Sequence, residues 1–357
     1  MTLLLSNEEI ETILNMEGCL AALQEAYQDL AAEVTTEGLR SDVVSPSSHP
    51  DAVHSLKVYS TAFPRREVAA IRLNSDLLTF RRGAVGKQRS KIPAAPGERW
   101  VGLVLLFSTS TGEPLAIFPD GVAQRARVGA ASGLALKILG RPDVAELAII
   151  GSGWQAGAQA MAACAVRKIR RIRIFSPNAL NRERFCAAWE GTLGVSFLPV
   201  ESVAEAARGA DAILCATNSM RPVLAAEVVE PGMHVGFIRI PEAGADVLAR
   251  ADVVVRHTPP ELSTVQLLKG ADSPDVRGDR GWDSSGADKL GGLPDLKDLV
   301  GGRVAGRSNP DQVTCFLNNT GMGLQFAAVG HAIWESARLR GVGRELPTEW
   351  FTESVHP

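Results

Sequence analysis

Residues 149–160 read IIGSGWQAGAQA. Gly151 and Gly153 follow an apolar run, and the small residues Ala156 and Gly157 stand just behind them. A Gly-x-Gly-x-x-Ala turn between a strand and a helix lets the backbone approach a pyrophosphate, and the free N–H groups of the helix start then hold it. The glycines alone are a weak signal, because any tight strand-to-helix turn can ask for them. Their meaning depends on what surrounds them.

From residue 140 to about 258 the pattern alternates strand and helix. VAELAIIG (144–151) reads as a buried strand, QAGAQAMAACAV (155–166) as a small-residue helix and KIRRIRIFS (168–176) as a second strand. The helix ALNRERFCAAWEG, the strand VSFLPV, the helix SVAEAARG and the strands DAILCAT (211–217) and HVGFI (234–238) follow. This order predicts an α/β fold with a Rossmann-type, doubly wound parallel sheet. Gly151 and Gly153 then fall where the phosphates of a dinucleotide belong. Trp154, Gln155 and Ala156 behind them, with Thr217 and Asn218 after the fourth strand, are the accompanying cofactor-binding candidates.

The flanks differ. Residues 7–34 carry helical periodicity, with Ser6 as N-cap and acids in the first turn. Three strand-like runs, VHSLKVYSTAF, EVAAIRLNSDLL and WVGLVLLFS, lie between residues 53 and 118. The basic stretch 81–100 reads as a long loop, either a solvated connection or a lid. A helix over 120–139, stopped by Gly140, leads into the dinucleotide unit. Beyond residue 258 an irregular Gly-, Asp- and Pro-rich stretch ends in a strand, a glycine turn and a helix that return to the first domain.

Composition narrows the partners. A net charge of −3 with acids and bases interspersed predicts neither a nucleic-acid groove nor attachment to an anionic membrane, and points to a small molecule. The five cysteines show no Cys-x-x-Cys spacing, and the six histidines, including His54, His234, His257, His331 and His356, show no metal-ligand spacing, so no metal is expected. The start MTLLLSNEEIETIL lacks a basic leader, and no run reaches the length of a membrane span, which together read as a cytoplasmic protein.

The second strand tells which nucleotide to expect. An NAD site carries an Asp or Glu at the end of that strand for the ribose hydroxyls. Here Phe175-Ser176-Pro177-Asn178 occupies the place, with no acid before Glu183. Ser176, Asn178 and Arg182 could bind a 2′-phosphate instead, so NADP(H) is preferred and NAD(H) stays open.

LAIFPDGVAQRARVGAASGLALKILG (115–140), followed by LAIIGSGWQAGAQ, resembles the ornithine cyclodeaminase and mu-crystallin family. Arg-Val-Gly-Ala-Ala-Ser at 127–132 is similar to that family's helix start, and GADAILCATNSMRPVL and EPGMHV resemble its later strands. The resemblance implies a homodimer. Its split α+β substrate-binding and dimerisation domain would comprise residues 1–126 and 312–357, with a Rossmann domain at 127–311 between them. It also implies hydride chemistry on amino or imino acids. Arg40 and Arg127 resemble the two arginines that grip a substrate carboxylate, a role suited to planar guanidinium groups.

Two departures bear on the chemistry. The strand that resembles the one bearing the family's lysine reads AAIRLNSD and places Arg72 there; arginine keeps its proton at neutral pH and cannot serve as a base. Lys57, on the preceding strand, is then the nearest acid/base candidate, and a surface lysine lying along its own stem is an equal reading. The cyclodeaminase aspartate after HVGFI is also out of place: Glu242 and Asp246 are displaced, and Asp76 is the substitute carboxylate or merely a partner of Arg72. Asn318, beside Asn319 in CFLNNTGMG, lines the cleft or caps a turn. His54 is a conceivable proton shuttle. The first functional expectation is NADPH-dependent reduction of a small α-imino acid. The second is a cyclodeaminase of ornithine or lysine type that recycles NAD(P), and the third a non-catalytic, NADPH-dependent ligand-binding protein.

Overall fold

The central short runs between residues 146 and 256, ELAII, AILC and HVGF, are buried on nearly every residue, which suits strands covered by helices on each face. In the computed structural model, which describes residues 1–83, 86–259, 262–279 and 291–355, six short runs of that span join Thr314–Leu317 in a seven-stranded sheet. Its order is Ser196–Pro199, Arg171–Phe175, Glu146–Ile150, Ala212–Cys215, His234–Phe237, Thr314–Leu317, Val253–Arg256, and each neighbouring pair is parallel. The chain runs outward from Glu146–Ile150 to one side, then returns to Ala212–Cys215 on the other. That reversal opens a crevice at the carboxyl ends of the strands, where such sheets bind ligands.

A second sheet holds ten strands among the described residues. Its long path runs Ser263–Leu267, Arg40–Pro46, Ala52–Phe63, Val68–Gly83, Val101–Ser108, Pro114–Pro119, Thr2–Leu4, Arg344–Leu346. Alternation sets its faces. Ser55, Lys57, Tyr59, Thr61 and Phe63 are all buried on the inner face. Val68, Val104, Leu106 and Phe118 join them against the helix Gly323–Arg340, whose Phe326 and Val329 belong to the same core.

The helix Gly121–Leu139 links the two sheets and is buried nearly all round. Its small residues permit this. A Cβ on Gly129 would come 2.5 Å from the Ala158 carbonyl oxygen, so the helix crosses Trp154–Val166 almost backbone to backbone.

Several expectations change in detail. The helical run at 7–34 breaks into Asn7–Ile13 and Met16–Ala31, because Asn15 turns out of the first helix and caps the second through the Gly18 N–H. Ser6 and Glu9 form the expected cap as a reciprocal box. Residues 81–100 are not a loop throughout. Gly86–Ile92 pairs antiparallel with Leu77–Gly83 and makes a hairpin arm, whose alternating polar side chains had hidden the strand. Residues 84 and 85 of that stretch, and His356, lie outside the described residues. Chain segments also cross the expected boundaries: Ser263–Leu267 pairs with Arg40–Val44 in the second sheet, and Thr314–Leu317 sits inside the parallel sheet. Each is a short apolar or alternating run, and only its neighbours determine which sheet takes it.

Candidate functional site

The crevice between the sheets has two unlike walls. On the parallel-sheet side, Gly151 has φ +119°, and a Cβ there would lie 2.5 Å from the Ala216 carbonyl oxygen, so only glycine fits without strain. Gly153 is the N-cap of Trp154–Val166, and a Cβ on it would meet nothing within 4 Å, which leaves open space over the helix start. Ala156 is fully buried, and a Cβ on Gly157 would strike the Trp189 ring. These features fit a dinucleotide: a turn that needs glycine, an uncrowded helix N-terminus and close helix packing behind it.

Around that turn the other candidates take definite places. Ser152 and Ser176 hydroxyls lie 2.8 Å apart, joining the glycine turn to the end of the second strand. The Arg182 guanidinium donates to the Ser176 carbonyl at 2.7 Å. Asn178 caps the next helix, its Oδ1 accepting from the Asn181 N–H at 3.0 Å. Trp154 stacks over the Arg125 guanidinium at 3.9 Å, and the Gln155 amide donates to Gln124 at 2.8 Å. The loop at Thr217 and Asn218 is pinned by the buried Glu242, which accepts from the N–H groups of Thr217 and Arg239. Burial pushes that carboxyl up to about 7. Glu242 therefore holds the loop, while Asp246 accepts from the Ala226 N–H at 3.2 Å.

The opposite wall is made of charge. Lys57 projects from the inner face of Ala52–Phe63, 6 % exposed, and its Nζ donates to Asp76 Oδ2 at 2.6 Å. Lys91, on the hairpin arm, places its Nζ 2.8 Å from the other oxygen of the same carboxylate. Burial lowers each ammonium to about 8 against the pull of Asp76. For Asp76, burial alone would raise the carboxyl, but the two ammonium groups outweigh it and hold it below its usual range. Both lysines are thus charged at neutral pH and close to giving up a proton.

Three arginines complete this wall. Arg40 is paired through Nε and Nη2 with Asp42 on its own strand, at 2.9 and 2.7 Å, which leaves the Nη1 edge uncommitted by that pair. Arg72 donates to Asp120, at the start of the helix Gly121–Leu139, and not to Asp76. Arg127 is buried without a carboxylate partner among the described residues. Its Nη1 donates to Gln325 Oε1 at 2.9 Å, its guanidinium carbon lies 5.2 Å from the Phe326 ring centre, and its Nε has no partner. Burial lowers it to about 10, still charged at neutral pH. An unpaired buried cation is costly, so an anion is the expected occupant. Gly321 makes room for it, since a Cβ there would come 2.4 Å from Arg127 Nη1.

Lys57, Arg72, Arg40 and Arg127 thus line one cleft of about 370 Å³, together with Gln155, Thr217, Asn218 and Asn318. Asp76 reaches it through the two lysines. Asn318 is less free than expected: its Nδ2 donates to the Val128 carbonyl and to Ser132 Oγ, both at 3.1 Å, tying the strand end to the linking helix. His54 lies on the opposite face of its strand from Lys57 and contacts Ser75 Oγ at 3.0 Å, so it does not reach the cleft. Sequence reasoning missed Lys91 and Tyr59. The Tyr59 ring lies beneath Arg40 and Arg72, at 5.2 and 5.1 Å, and its hydroxyl stays below its usual range because those arginines and Arg127 outweigh the effect of burial. Tyr59 could have been found from the alternation of its strand; Lys91 lay in an apparent loop.

Comparison with known proteins places this geometry. Alanine dehydrogenase of Archaeoglobus fulgidus is 25% identical over 97% of this chain and 98% of its own. A Delta(1)-pyrroline-2-carboxylate reductase of Bacillus cereus is 26% identical over 96% and 99%, and the ketimine reductase mu-crystallin of Mus musculus 28% over 66% and 70%. These relatives are named as oxidoreductases. Among solved structures, the Thermococcus litoralis Delta(1)-pyrroline-2-carboxylate reductase, in complex with NADH and L-proline, superposes with a TM-score of 0.75 at 23% identity, covering 97% of this chain and all of that one. Residues 91–340 match the model of the ornithine cyclodeaminase/mu-crystallin family, and with the glycine turn and the likeness over nearly the whole chain, this protein belongs to that family.

Proposed function

We propose that the protein is a nicotinamide-dependent reductase of small α-imino acids, with NADP(H) preferred over NAD(H). The observation that carries this reading is the pairing, in one cleft, of a buried arginine with no carboxylate partner among the described residues and a buried lysine whose ammonium is held 2.6 Å from Asp76 Oδ2. When bound, the nicotinamide supplies the hydride that reduces the C=N carbon. Arg127, helped by the Nη1 edge of Arg40, grips the α-carboxylate and so fixes the reacting carbon. Lys57 gives its proton to the imine nitrogen, and Asp76 keeps that ammonium charged and aimed between turnovers. Arg72 acts as a fixed positive wall, locked by Asp120. Gly151 and Gly153 would hold the pyrophosphate at the helix start, with Trp154, Gln155, Ala156, Thr217 and Asn218 around it. Ser176, Asn178 and Arg182 would face the ribose end, where the missing acid would remove repulsion of a 2′-phosphate.

A homodimer accords with the outer face of the large sheet. Val58 stands opposite Leu73 and Leu73 opposite Leu103, while Ile71 faces Leu105 and Leu105 faces Ile117. Leu56, Leu103 and Val101 on that face are 38, 37 and 43 % exposed. A contiguous apolar sheet face of this kind needs a cover, and the archaeal alanine dehydrogenase structure, of TM-score 0.76, is a dimer with bound NAD.

The Lys57–Asp76 pair also favours a second reading, since a cyclodeaminase needs an ammonium and a carboxylate side by side. The deciding experiment follows nicotinamide absorbance with keto acids plus amines and with cyclic imines, while assaying ammonia from ornithine and lysine. Stoichiometric oxidation of NADPH by an imine supports the reductase. Ammonia release with no net change in cofactor replaces it with the cyclodeaminase, and tight NADPH binding without turnover of either kind favours a ligand-binding protein.

A further inference from the structure

The carboxylate that holds Lys57 is not reserved for it. Asp76 Oδ2 accepts from Lys57 Nζ at 2.6 Å, while Lys91 Nζ lies 2.8 Å from Oδ1, so one carboxylate answers two ammonium groups. The second lysine is fixed there from several sides. Its main chain pairs with Leu78, its carbonyl accepts from Trp100 Nε1 at 3.2 Å, and its Nζ donates to Asn74 Oδ1 at 3.3 Å. Asn74 stands opposite Lys57 in the strand register and is itself anchored by its Nδ2 to the Val101 carbonyl at 3.1 Å. The arm that carries Lys91 also rests on the cofactor wall: the Arg89 N–H donates to the Asn218 carbonyl at 3.4 Å, and Gln88 pairs with Ser219.

A buried ammonium with a carboxylate of its own is a poor acid, because that carboxylate holds the proton in place. A second ammonium on the same carboxylate divides its pull and repels the first. We infer that Lys91 is a positioning residue for the proposed reaction: seated on Asp76 Oδ1, it loosens the carboxylate's hold on Lys57, so that Lys57 can hand its proton to the imine nitrogen. The inference rests on the reductase reading above and adds how its proton donor is tuned; in this role Lys91 touches no reacting atom. The directions of titration agree. Burial lowers both ammonium groups against the pull of Asp76, and the charge of Lys57 lowers Lys91 further. The other charged groups around Lys57 are the pairs Arg40–Asp42 and Arg72–Asp120, together with Arg89, Arg127 and Arg239, and Tyr59 stands beside it on its own strand. Among the described residues the ion pairs of Asp76 are with the two lysines. Replacing Lys91 leaves all these other groups in place, so a change in how Lys57 titrates reports the shared carboxylate.

Two measurements on the full-length protein test this. In the first, the pH profile of NADPH-dependent imine reduction is compared between the parent, Lys91→Gln and Lys91→Arg. Lys91→Gln should move the alkaline limb up by about one pH unit and lower kcat below that limb roughly three- to tenfold, because Lys57 then holds its proton more firmly. Lys91→Arg, which keeps the charge, should return most of both. A lower kcat or Tm with the limb unmoved overturns the inference and leaves Lys91 a brace of the arm; a rise in KM alone overturns it in favour of a substrate contact. In the second, acetylation of Lys57 by acetic anhydride is followed against pH by peptide mass spectrometry, with no turnover involved. Its midpoint should rise by about one unit in Lys91→Gln, and an unmoved midpoint overturns the inference. Lys91→Met, which keeps the apolar stem, repeats both readings if the glutamine disturbs the arm. Failure to reduce any imine overturns the reductase reading, and the acetylation midpoint still decides whether Lys91 tunes Lys57.

Discussion

The two walls of the cleft solve recognition by different means. The parallel-sheet wall works with backbone: a glycine at φ +119°, a helix start capped by Gly153 without a side-chain bond and a loop pinned by Glu242. The large-sheet wall works with side chains: the cations Arg40, Lys57, Arg72, Lys91 and Arg127, arranged by strand register and helix packing and partly balanced by Asp42, Asp76 and Asp120. Backbone recognition tolerates change in most side chains but not in the glycines. Side-chain recognition can be retuned one residue at a time, which is where substrates within one fold diverge.

This contrast can be broken in a graded way. Lys57→Ala should cost the most, roughly 10²- to 10⁴-fold in kcat, with NADPH affinity within about twofold of the parent, as read by steady-state kinetics and a fluorescence titration. If nucleotide affinity falls in parallel, the walls are not independent. Arg127→Lys should lower kcat/KM by roughly 10- to 100-fold, because a point charge replaces a two-point grip. On the other wall, Gly151→Ala should destabilise the protein by about 1–3 kcal/mol through the strained φ and the clash with Ala216, visible as a lower Tm and a raised Kd for either nucleotide. The pH profile sharpens the role of Lys57. In the reductive direction the protonated amine is required, so kcat/KM should hold below about 8 and fall up to tenfold per unit above it, the Lys57 and Lys91 pair titrating together. In the oxidative direction the limb should invert. The smallest effect belongs to Arg182→Ala, expected to reduce the NADPH-over-NADH preference about five- to tenfold, measured as a ratio of Kd values.

Local signals were the readable part. The order of the first five strands of the parallel sheet follows from short apolar runs separated by helical ones, and Gly151 announces itself by spacing. Ser6 capping Asn7–Ile13 through Glu9 was equally open to reading, because the whole interaction spans four residues. Pairings between distant segments were not. Arg72 and Asp76 sit four positions apart with compatible charges, yet Arg72 joins Asp120, because cross-sheet neighbours are set by the packing of the linking helix. Lys91 remained hidden because its strand, Gly86–Ile92, is polar at nearly every position and offers no apolar alternation to read. The strand Thr314–Leu317 was recognisable as a strand but not as a member of the parallel sheet, since nothing in TCFL specifies its neighbours.

The place of that strand also limits how the molecule can be made and cut. Thr314–Leu317 lies between His234–Phe237 and Val253–Arg256, so the earlier strand pair cannot close directly and waits for a segment translated well after both. Ser263–Leu267 meanwhile crosses back to an edge formed by residues from the first part of the chain. The two halves are laced through each other, and neither corresponds to one uninterrupted stretch of the gene. A nascent chain halted before residue 314 carries an open, apolar sheet gap exposed to aggregation. Neither wall of the cleft can therefore be expressed whole as a simple truncation.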